Sequence, residues 1–157
     1  MLENFNQITQ LDAKRAEYAN AVSRFCEPLL HCVDFIEDIY TAAQHGYYDP
    51  VEERRAFIFT VFFFYAPKKL LSWENCRPDV MKKMCALTKC SQALISHDSR
   101  NLLFQYNHYV ELRILVDSTI ERAKEFLYKK GIDAKHYILR FGNEEKEDGQ
   151  EKTSREA

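Results

Sequence analysis

The stretch Met81–Tyr106, MKKMCALTKCSQALISHDSRNLLFQY, decides how this chain is read. It divides into two short helical patterns joined by the polar turn around Thr88-Lys89-Cys90-Ser91. That is the outline of a helix-turn-helix. In such a unit the first helix turns an apolar residue and then a small one toward the second, and Met84 and Cys85 occupy those places. One turn residue adopts the left-handed conformation, which Gly takes without a Cβ penalty; here Lys89 stands at that position. An apolar residue then plugs the angle between the helices, as Cys90 would. Ser91 caps the second helix, and Ile95, four residues on, is its buried residue. Arg77-Pro78-Asp79 opens the first helix, with Pro suited to its first position, so the unit is expected over about residues 78–106.

This geometry assigns an outward face. Gln92, Ala93, Ser96, His97 and Arg100 are expected on the side of the second helix that would enter a DNA major groove. Gln pairs with adenine, Arg with guanine, and Ala touches a thymine methyl. Lys82, Lys83 and Lys89, with Lys68 and Lys69, are expected on phosphates, which positions a protein without reading sequence. Ser91 adds a helix N-terminus, where backbone N–H groups receive anions. Two positions depart from the pattern. Thr88 stands where an apolar residue is common. Asp98 stands where a buried apolar residue is usual, and would repel phosphates if it faced outward. Charge follows the motif: residues 67–106 hold seven Lys/Arg and three Asp/Glu, a local +4, while the whole chain sums to −2, leaving −6 elsewhere.

The run LTKCSQALISHDSRNLLFQY resembles the second half of the helix-turn-helix in sigma-factor-like and repressor-like proteins. Their common form is a small residue, Gly, an apolar residue and Ser, then an apolar residue followed by Ser. FIFTVFFFYAPKKLL followed by CSQALISHDSRNLLFQYNHY is similar, more loosely, to small helical proteins of phages and mobile elements of gut bacteria. The resemblance covers about Ala56 to Leu127 and implies a helix-turn-helix fold and DNA as partner.

Upstream, Ala56–Ala66 (AFIFTVFFFYA) is apolar on every side and reads as a helix buried all round. It is far shorter than the ~20 residues a membrane-spanning helix needs, so no membrane partner is expected. Asp49-Pro50-Val51-Glu52 opens that helix with a cap, a first-position Pro and a capping-box Glu. Farther upstream, Ile8, Leu11, Tyr18, Val22, Phe25, Leu29, Cys32, Ile36 and Ile39 keep a three-four spacing from about Gln7 to Gln44, with Arg15 the one polar occupant of the stripe. Pro28 divides this stripe into two helices, the second starting at Glu27-Pro28.

Downstream, Ser91 to Lys130 contains neither Gly nor Pro. It predicts one long helix, or two with a bend near Asn107-His108. Tyr109, Leu112, Val116, Ile120, Ala123 and Leu127 form the buried stripe of the later part, and Gly131 its C-terminal cap. His136–Phe141 (HYILRF) is a short strand or a docking arm. Residues 143–157 are charged and poor in apolar side chains, a composition of disorder.

The fold class expected is therefore all-α: a single-domain helical bundle over residues 1–142 containing the helix-turn-helix, a long C-terminal helix, and a disordered tail at 143–157. Four Gly and four Pro in 157 residues leave little room for a turn-rich β fold. The five cysteines lack paired short spacings, so reduced thiols and no metal are expected. The start, MLENFNQITQLD, lacks the pattern of a secretory signal, which makes the cytoplasm the expected location. No Gly-rich phosphate loop, nucleophile elbow or HExxH occurs, and the histidines are scattered. The chain is expected not to be an enzyme and to need no cofactor. The expected function is DNA binding in transcription control as a homodimer. The alternatives are a phage assembly module that uses the bundle for protein contacts, and a DNA-packaging recognition subunit that assembles as a ring.

Overall fold

Helix α2, Pro50–Tyr65, explains the rest of the architecture. Every residue from Ala56 to Tyr65 is buried, so this helix has no solvent face and needs neighbours around its whole circumference. The computed structural model describes residues 27–70 and 76–138. Around α2 it arranges α1 (Ile36–Ala43), α3 (Pro78–Thr88), α4 (Gln92–Ser99), α5 (Leu102–His108) and α6 (Val110–Lys129), with short 3-10 turns at Val33–Phe35 and Pro67–Leu70. The chain is all-helical in these residues, and α2 touches each of the other five helices. Phe57, Phe59, Phe62 and Phe64 are fully buried. Each contributes about 1.5–3 kcal/mol by leaving water, which makes α2 the main apolar anchor of the bundle. No helix among the described residues is long and apolar enough to cross a membrane.

Local signals set the helix ends. Asp49 accepts from the N–H of Val51 at 2.7 Å with Pro50 in the first turn, as expected of a capped start. The capping-box role expected of Glu52 is not the one it takes: its carboxylate pairs with Arg55 one turn on, at 3.1 Å. The end of α6 is a Schellman motif. Gly131, at φ +89°, donates to Tyr128, and Ile132 donates to Leu127 at 2.9 Å.

Two expectations need correction. The second N-terminal helix does not start at Glu27-Pro28. Pro28 disfavours helical backbone before it, and the N–H of Leu30 is claimed by the carbonyl of Phe64 at 3.0 Å, one of the carbonyls that the end of α2 leaves open. Tyr65 adds a hydroxyl bond to the carbonyl of Cys32 at 2.5 Å. Helical geometry starts only at Val33. The stripe over residues 7–25 and the tail at 143–157 lie outside the described residues.

The second correction concerns the stretch after Ser91, which forms three helices. The bend expected near Asn107-His108 is present, at Tyr109. A further break falls at Arg100-Asn101, where Asn101 takes the left-handed conformation at φ +61°. Asn tolerates that region better than most residues, so the absence of Gly and Pro did not preclude a turn. The stripe of α6 is buried at Leu112, Val116, Ile120, Ala123 and Leu127, with Leu115 and Thr119 beside it. Tyr109 precedes the helix and is exposed. Of the two readings of the 136–141 segment, strand or docking arm, its described residues form no strand. It docks through Tyr137, whose hydroxyl donates to the carbonyl of Phe63 at 2.9 Å and whose ring stands 5.0 Å from that of Phe63.

Candidate nucleic-acid interface

The α3–turn–α4 unit rests on side chains that point toward α2. Val80, Met81 and Met84 are the buried residues of α3, and Ile95 is fully buried on α4. Cys85, Leu87 and Cys90 are half-buried and pack on the same core. Between the helices Lys89 takes the left-handed conformation, φ +58° and ψ +31°. The turn position that usually carries Gly is thus occupied by Lys in the same backbone geometry. Thr88 stays polar by bonding locally: its hydroxyl donates to the carbonyl of Met84 at 2.8 Å and accepts from the N–H of Cys90 at 3.3 Å. Ser91 caps α4, its hydroxyl accepting from the N–H of Leu94 at 3.1 Å.

Asp98 is buried, and its carboxylate takes the Nε–H of Arg54 on α2 at 2.6 Å. A carboxylate inside a protein needs such a partner. The contact removes the one acidic side chain of α4 from the outward face, where Gln92, Ala93 and His97 stand exposed. Arg54 was not singled out by its own sequence surroundings. The signal for it was indirect: an Asp in an apolar slot calls for a cation from another element.

Two expected outward residues are placed differently. Ser96 is half-buried, with its carbonyl accepting from the Ser99 hydroxyl at 2.8 Å. Arg100 is exposed but off the helix: α4 ends at Ser99, and Arg100 continues in extended backbone at ψ +136°. The left-handed Asn101 turns the chain there, so α4 spans eight residues instead of running on to Tyr106. Lys82 and Lys89 are exposed and Lys83 half-buried, and no described acid forms an ion pair with any of the three. Lys68 and Lys69 lie in the 3-10 turn Pro67–Leu70 and are half-buried. Arg77, at the start of α3, is engaged by Asp79 at 2.5 Å and by the carbonyl of His31 at 2.8 Å. The Asp79 carboxyl is held below its ordinary range by that hydrogen bond from Arg77.

Thiol chemistry has little support in this region. Burial pushes the Cys76 thiol up to about 11 and raises that of Cys85, so both are protonated near neutrality. No three His, Cys, Asp or Glu side chains among the described residues come together as a metal site. Phe104, Tyr109, Val110 and Ile114 are exposed at and near the α5–α6 junction, and the Phe104 ring packs on His108 at 4.1 Å. Comparison with protein-family models, curated proteins and solved structures finds no match to this chain.

Proposed function

We propose that this chain is a helix-turn-helix DNA-binding protein acting in transcription control, as a homodimer in the cytoplasm. The observation that carries the reading is the combination in α3–α4 of a left-handed turn, a Ser91 cap and an exposed α4 surface free of carboxylate. Gln92 and His97 would read base edges, with Ala93 against a thymine methyl and Ser96 at the margin of the groove. Lys82, Lys83, Lys89 and the Ser91 N–H would bind phosphates. Arg100, beyond the end of α4, suits a backbone contact better than a base contact.

The test is fluorescence anisotropy on a randomised duplex pool across a salt series. Affinity is expected to fall steeply with salt, and each of Lys82→Ala and Lys89→Ala to reduce the salt slope by about 1. Salt-independent binding, or no change in either variant, would sink the reading. The exposed Phe104, Tyr109, Val110 and Ile114 favour a second reading, a module that assembles through protein contacts. In that case Ile114→Asp changes the mass in solution while the lysine variants have no effect.

A further inference from the structure

A pocket of about 460 Å³ opens between the C-terminal half of α1, the first turns of α2 and the end of α3; Tyr40, Gln44, Glu53, Arg54, Phe57 and Thr88 line it. Its size lies within the range of small-molecule sites. Two of its side chains carry opposite charge, and each is pinned from behind with binding capacity left over. Glu53 uses one oxygen, Oε2, to accept the backbone N–H groups of His45 at 2.6 Å and Gly46 at 3.1 Å. No described residue donates to its Oε1. Arg54 spends its Nε–H on Asp98, and no described residue accepts from its Nη atoms. Tyr40 and Phe57, packed edge to face at 5.2 Å, supply an apolar wall.

We propose that this pocket binds a small zwitterion, an α-amino acid or a dipeptide, with its ammonium on Glu53, its carboxylate on Arg54 and its side chain against Tyr40. The charge pattern selects this class. An anion would meet the Glu53 carboxylate and a cation the Arg54 guanidinium. A hydrocarbon would strip water from both without replacing its hydrogen bonds. A dipolar, net-neutral ligand satisfies the two together, and guanidinium–carboxylate pairing is the strong, geometrically specific half of the contact. Because Asp98 and the two backbone N–H groups hold the charged ends in place, little ordering remains to be done on binding. The proposal stands apart from DNA binding, and its test contains no DNA.

Isothermal titration calorimetry of the full chain against free L-amino acids in one arm and Gly-X dipeptides in the other tests it. Saturable binding is expected in one arm, which identifies the source, and is lost when the ligand's carboxylate is amidated or its amine acetylated. Glu53→Gln, which keeps an oxygen for the two backbone N–H groups, weakens binding about tenfold or more. Gln44→Trp fills the rim, leaves the circular dichroism spectrum unchanged and abolishes binding. The proposal is overturned if neither arm shows binding, if amidated and acetylated ligands bind equally well, or if Gln44→Trp binds like the parent.

Discussion

Arg54 and Asp98, 44 positions apart in sequence, meet through a single Nε–Oδ2 contact of 2.6 Å that ties the central helix α2 to α4. The side chain of Asp98 is 5% exposed and that of Arg54 22%. The pair does two things at once: it gives a buried carboxylate a cation, with the His97 ring nitrogen 3.9 Å from its other oxygen, and it helps set the rotation of α4 that leaves Gln92, Ala93 and His97 exposed.

Breaking this pair is expected to cost more than losing a surface bridge, because one charge stays behind in a partly buried place. Asp98→Ala should lower stability to urea by about 2–4 kcal/mol. Replacing both partners, Arg54→Met with Asp98→Leu, should recover much of that loss. A double-mutant cycle measures the coupling. A coupling near zero would mean that the contact does not hold α4.

Lys89 occupies left-handed backbone that costs a non-glycine residue about 1 kcal/mol or more. Lys89→Gly removes that strain but loosens the unfolded chain, so a net gain of about 0.5 kcal/mol is expected. Lys89→Val should instead destabilise by about 1 kcal/mol or more, since a β-branched residue tolerates this region least. Under the proposed function the Gly variant is more stable yet weaker on DNA. That split separates the residue's backbone role from its charge, and thermal melts beside anisotropy read it.

His45 predicts a pH dependence. Its Nε2 lies 3.1 Å from the hydroxyl of Thr119, which already donates to the carbonyl of Leu115 at 2.8 Å, so the ring must be the donor there. On the other side Arg122 donates to Nδ1 at 3.0 Å. Both contacts suit the neutral ring protonated at Nε2; a proton on Nδ1 would face the guanidinium. Burial first and Arg122 second lower the pKa of His45 below the ordinary 6.5, with Glu53 opposing them. The unfolded chain therefore takes up the proton first as pH falls. Stability is undiminished above about 6.5, declines below it, and levels off once the folded form is protonated too. The aromatic rings of Tyr47 and Tyr48 also flank His45. Urea midpoints of the parent and His45→Gln across this range should converge toward low pH. Parallel curves would show that His45 does not set the slope.

Much of the fold was legible because its signals are local. The apolar run at Ala56–Ala66, interrupted only by Thr60, has nowhere to go but the interior, and it is buried through Tyr65. Asp49, Ser91 and Gly131 mark helix ends through bonds within a few residues of themselves, and Pro50 and Pro78 through their fixed φ. The left-handed turn at Lys89 was readable from spacing alone, against the residue's own preference, because the helices on both sides required it. Less legible was the turn at Asn101. Nothing in LISHDSRNLLF marks it beyond an Asn, and a continuous helix satisfied the same periodicity.

What the sequence determined by itself was the class of fold, the buried helix at the centre and the position of the α3–α4 unit, all consequences of hydrophobic spacing and capping. Tertiary structure decided which way α4 faces, where it stops, and which charges share the pocket beside α2. Those depend on partners far apart in the chain, Arg54 with Asp98 and His45 with Thr119 and Arg122. A buried polar group announces that it needs a partner, but only packing in three dimensions selects which one.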